Sequence, residues 1–158
     1  MILGLTPLTW FHVALSLVGV ASGLVVLFGM LVGDRMNGWT LLFLTTTAAT
    51  TLTGFLLPFS GITPAVAVGI VSTVVLVVAF LARYAFGMAG AWRWIYIGSA
   101  VLAFYLNAFV LVVQSFQKIP SLNVFAPTGS EPPFVVAQAC VLVAFIVAVI
   151  TAFSYLEL

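Results

Sequence analysis

The chain has 158 residues, 65% of them hydrophobic and only 4% charged, with a net charge of +1. Soluble domains carry roughly 25% charged residues, so four bases and three acids cannot keep a surface of this size dispersed in water. Composition therefore excludes a soluble fold, and the near-neutral charge excludes a nucleic-acid partner, which needs a basic stripe to neutralise phosphates.

A spanning helix needs about 20 apolar residues, because each adds about 1.5 Å across a hydrocarbon core of about 30 Å. Five runs meet that length: Trp10–Val32, Trp39–Leu57, Ala65–Phe86, Trp92–Phe116 and Phe134–Leu156. They predict an all-α membrane protein, a five-transmembrane-helix bundle filling residues 1–158 as one transmembrane domain. All seven prolines fall between the runs or just before the first, as expected of residues that cannot continue a helix. Tryptophans Trp10, Trp39, Trp92 and Trp94 open runs, where a half-apolar ring suits the headgroup layer. Met1–Thr9 has no Lys or Arg, unlike a signal-peptide n-region, so the first run is expected to stay as structure.

Helix one carries His12, Ser16, Gly19 and Gly23 on one stripe, ending in a Gly-x-x-x-Gly pair that lets helices approach closely. A short turn leads to helix two, with threonines from Thr40 to Thr53. Helix three aligns Ala65, Gly69, Ser72, Ala79 and Arg83. Helix four aligns Tyr96, Ala103, Asn107, Gln114 and Lys118, and helix five opens with Gln138. Small and hydroxyl residues on such stripes are first read as helix packing, which assigns that role to Gly19, Gly23 and Gly69. Residues 117–133 form the single long connection, with Lys118, Glu131 and four of the prolines.

Arg35, Arg83 and Arg93 lie at one end of the helices and Lys118 alone at the other. As topology anchors the arginines place the C-terminus in the cytoplasm, with the N-terminus and the long loop outside. Arg83 is expected to snorkel to the headgroups.

His12, Asn107, Gln114, Lys118, Glu131 and Gln138 all fall in the outer half. Polar groups in hydrocarbon must face one another or a wet cavity. Two readings follow: a structural network that locks the long loop to the bundle, ranked first, or a ligand site beneath that loop. No cofactor is implied. One histidine cannot supply bis-histidine haem ligation, and the single cysteine, Cys140, excludes a multi-cysteine site; no metal site is expected. There is no Ser–His–Asp set or phosphate loop, and no acid appears in the runs before Glu157 beyond their end.

Several segments together are similar to those of small bacterial integral membrane proteins of no assigned activity: NGWT at Asn37–Thr40, ARYAF at Ala82–Phe86, AWRWIY at Ala91–Tyr96, YLNAFVLVVQSFQKIP at Tyr105–Pro120 and APTGSEPPF at Ala126–Phe134. The resemblance implies the bacterial inner membrane and gives no chemistry. The first functional expectation is a non-enzymatic subunit or accessory component of a membrane assembly, or a homo-oligomer, with lipids and other membrane proteins as partners. The alternative is a binding protein for a lipid, quinone or similar amphiphile in the outer polar pocket. A transporter or membrane enzyme using His12 with Glu131 ranks third.

Overall fold

The structure, a computed structural model, describes residues 5–58 and 61–155. Five helices are long and apolar enough to cross a membrane, and the protein is an all-α, multi-pass bundle. They are α1 (Pro7–Leu31), α2 (Asn37–Leu56), α3 (Pro64–Phe80) with the π-helical turn Leu81–Ala85 that completes its span, α4 (Ala91–Lys118) and α6 (Pro132–Tyr155). A short helix, α5 (Pro120–Asn123), interrupts the long connection. The expected end of the last run, Leu156, and Glu157 lie outside the described residues.

Helices begin earlier than hydropathy suggests, for a simple reason. Proline is barred from helix interiors but suits the first turn, where its missing N–H would be unpaired anyway. Pro7, Pro64 and Pro132 therefore start α1, α3 and α6, upstream of Trp10, Ala65 and Phe134. Thr6 and Thr63 cap the first two of these, their hydroxyls accepting from Thr9 N at 3.2 Å and Val66 N at 3.4 Å. The same physics makes α5 start at Pro120.

α4 is the hub. It packs against α1, α2, α3 and α6, while α1 lies most extensively along α2. Tyr96, Ile97, Ala100, Ala103, Phe104 and Asn107 are buried along its inward face. α6 leans on α4 and α1 from one side, and among its described residues Ala152 alone is buried. Close approach requires small residues: a Cβ on Gly23 would stand 2.9 Å from the Phe104 ring, and one on Gly69 2.9 Å from the Phe55 ring.

Phe43, Leu44 and Phe104 form an apolar layer across the middle, with Phe43 and Phe104 ring centroids 5.9 Å apart edge to face. Phe145 stacks edge-on against Phe104 from α6, at 4.9 Å. Along α4, Phe104 stands between Asn107, which meets helix α1 toward His12, and Tyr96, which lies against Arg83.

Candidate functional site

At the histidine end, His12, Ser16, Asn107 and Gln138 each have one close partner. His12 Nδ1 lies 2.9 Å from Thr53 Oγ1. The Thr53 hydroxyl proton already goes to the Ala49 carbonyl at 2.8 Å, so Nδ1–H is the donor to Thr53. Ser16 Oγ donates to Asn107 Oδ1 at 3.0 Å, and Gln138 Nε2 donates to the Phe109 carbonyl at 3.2 Å. Glu131 serves its own loop, accepting from Thr128 N, Thr128 Oγ1 and Ser130 N at 3.0, 2.7 and 3.1 Å. These bonds, led by the Thr128 hydroxyl, lower its pKa to about 2.

Gln114 and Lys118 are exposed. Helix length accounts for Lys118. Ser16 and Asn107 are level, and for roughly parallel axes Gln114 stands about 10 Å beyond them and Lys118 about 16 Å. Pro7 begins α1 only about 13 Å beyond the same level, so α4 outruns its neighbour before Lys118 is reached. Among the described residues no hydrogen bond joins any two of the six expected site residues. His12 and Glu131 in particular have separate partners. Two buried atoms remain unpaired near Asn107: its Nδ2 and Thr47 Oγ1. Both border the space above Gly19, where an added Cβ would lie 3.1 and 3.2 Å from them. Gln138 Oε1 is likewise unpaired.

The arginine end is built differently. Ser72, Leu76, Ala79 and Arg83 follow one helical stripe, and all four are buried. At Leu81–Ala85 the helix widens into a π-turn, closed by Phe86 N donating to Leu81 O at 2.9 Å. Such turns store an irregularity that is found often at functional sites. Here it turns both Ala82 and Arg83 inward. Contrary to the snorkelling expected from sequence, Arg83 is only 8% exposed. Its Nη2 donates to Arg35 O at 2.9 Å and Asn37 Oδ1 at 2.6 Å, and Nη1 to Met88 Sδ at 3.4 Å. The guanidinium carbon sits 5.1 Å from the centroid of the Tyr96 ring.

A cavity of about 380 Å³ opens beside this guanidinium. Arg83, Arg35, Arg93, Asp34, Thr40 and Tyr96 supply its polar wall, and Val26, Met30 and Ile97 its apolar one. Tyr96 is 3% exposed, and its hydroxyl, a donor and acceptor, has no hydrogen-bond partner. Burying a cation without a carboxylate is costly, and carbonyl, amide and ring contacts repay only part of that cost. Two non-glycine residues adopt left-handed backbone among the described residues: Met36 at φ 39° and Met88 at φ 58°. Both border this end, and Met88 lines the cavity. Strain of this kind costs about 1–3 kcal/mol per residue and gathers where geometry serves a site.

Sequence reasoning grouped the arginines as topology anchors and looked for a site at the other end. The usable signal was the stripe itself, which puts Arg83 in phase with Ser72 and Ala79 rather than facing lipid. Thr40, Met88 and Asp34 had no signal of their own. Comparison with protein-family models, curated proteins and solved structures finds no match to this chain.

Proposed function

We propose that this is a non-enzymatic membrane protein that binds an amphiphile, a lipid, quinone or similar molecule, with the polar end seated in the basic cavity. The supporting observation is the buried Arg83, which has no carboxylate partner among the described residues, beside the unpartnered Tyr96 hydroxyl, with an apolar wall opposite. A polar head on one side and apolar surface on the other is the pattern of a small-molecule site. The clustering of three arginines at this end supports a cytoplasmic facing for it. The resemblance to small bacterial membrane proteins supports the inner membrane as the location.

Native mass spectrometry of the full chain, extracted in a mild detergent, tests this. A retained adduct of lipid or quinone mass, reduced in Arg83→Gln, is the expected result. Bare polypeptide mass at the gentlest activation would overturn it.

A second reading, a component of a larger membrane assembly or a homo-oligomer, is favoured by α6. That helix buries Ala152 alone among its described residues, packs Phe145, Val149 and Phe153 against the core, and leaves its other face to lipid or to a partner. The oligomeric mass in the same spectra addresses it, and a lone monomer in native membranes would count against it.

A further inference from the structure

We infer that the cavity at the arginine end recognises a phosphate-bearing group, as a lipid phosphomonoester or as free phosphate. This rests on reading the cavity as a ligand site, and names the chemistry it selects.

Three observations carry the assignment. The first is charge. Among the described residues the lining holds Arg83 and Arg35 against Asp34, with Arg93 beside them, a basic surplus that suits a phosphomonoester, which carries about −1.5 to −2 at neutral pH. The second is donor supply. A guanidinium has five N–H donors, and Arg83 uses two on Nη2 and one on Nη1. Its Nε–H and the second Nη1 proton are left for a ligand, and the Tyr96 hydroxyl adds a third donor from the buried wall. Three donors match the three acceptor oxygens of a phosphomonoester better than the two of a carboxylate or the single carbonyl of a quinone ring. The third is position. Basic pockets between spanning helices are where phosphorylated lipid heads are held, because the charge is partly shielded from water and the tails remain in hydrocarbon.

Arg83 is the charge at the centre. The contacts to the Arg35 carbonyl and Asn37 fix its plane, so its two remaining N–H groups are pre-set rather than searching rotamers. Tyr96 is itself fixed beneath the guanidinium. Asp34 is occupied by the Met36 amide at 3.0 Å, which orients its carboxylate toward the turn.

The test uses the delipidated full chain in a neutral maltoside detergent, titrated with four probes by calorimetry. The probes are inorganic phosphate, dioctanoyl phosphatidic acid, dioctanoylglycerol and decylubiquinone. Saturable binding of phosphatidic acid, at least tenfold tighter than dioctanoylglycerol, is expected. Arg83→Gln should weaken it about thirtyfold or more, as for truncating one partner of a buried charge pair. Tyr96→Phe, which keeps the ring and tests the hydroxyl alone, should weaken it several-fold, and carries the test if Arg83→Gln does not fold. Competition by inorganic phosphate assigns the site to the free ion as well, and its failure to compete assigns it to the lipid; both keep phosphate as the recognised group. Equal binding of phosphatidic acid and dioctanoylglycerol, or binding of decylubiquinone alone, would overturn the phosphate assignment while leaving an amphiphile site. No binding of any probe would overturn both.

Discussion

The two ends of this bundle hold similar numbers of polar side chains and use them in opposite ways. At the histidine end His12, Ser16 and Gln138 find hydroxyl, amide or backbone partners close at hand. At the arginine end a buried guanidinium and a buried phenol border open volume. Among the described residues both ends leave buried polar atoms unpaired, and what sets the arginine end apart is a buried cation beside open volume. The apolar layer of Phe43, Leu44 and Phe104 keeps the two systems apart.

The sharpest way to break this comparison is to exchange the damage. Arg83→Gln should cost about 2–5 kcal/mol in ligand retention, and His12→Ala should leave retention unchanged, both read by titration of the purified protein. If His12→Ala were the more damaging, the two ends would have been assigned in reverse.

A smaller effect is expected in the layer between them. Gly23→Ala puts a methyl 2.9 Å from the Phe104 ring. It should destabilise the fold by about 1–3 kcal/mol, measured by thermal or denaturant unfolding in detergent. Unchanged stability would mean that Phe104 moves freely and that the layer is not a rigid divider.

Smaller again is the loss of one bond at the histidine end. Asn107→Ala removes the Ser16 contact and should cost about 0.6–1.7 kcal/mol, the range for hydrogen bonds between membrane helices. Ligand titration should not change. A stability gain is the contrary outcome, because it would show the unpaired Nδ2 outweighing the bond that Oδ1 makes.

The last effect is confined to the loop. Glu131 is held at a pKa of about 2, below its ordinary 4.5, by the Thr128 hydroxyl and then by backbone amides. A depressed carboxylate pKa contributes stability in full above the ordinary value and loses it as pH falls toward the folded one. The protection factors of the Thr128 and Ser130 amides, measured against the intrinsic exchange rate at each pH, should therefore hold at pH 5 and fall between about 4.5 and about 2. Glu131→Gln should show fast exchange throughout, and an equally protected variant would contradict the capping role.

Much of this fold is legible in the sequence because membrane physics leaves few choices. Five apolar runs must be helices, since no other open structure satisfies its backbone in lipid. The starts at Pro7, Pro64 and Pro132 were less legible, because proline ends one helix and begins another with the same local pattern. The candidate site was legible only in part. Periodicity placed Arg83 and Tyr96 on polar stripes, yet counting arginines for topology treated Arg83 as an anchor at the membrane surface. The π-turn and the left-handed Met88 have no distinctive residue pattern, because they arise from how the α3–α4 connection closes on α2. Gln114 and Lys118 continue the Asn107 stripe, and the length of α4 relative to α1 removes Lys118 from the interior, while Gln114 is exposed within the reach of α1.

The central claim is that the ligand position lies at the arginine end. The most direct measurement is an experimental density map of the protein crystallised from a lipidic phase with its native lipids. Density for a bound head group between Arg83 and Tyr96, and none beneath residues 117–133, is the result predicted. An empty arginine-end cavity with a molecule lodged between Asn107 and Gln138 would contradict it.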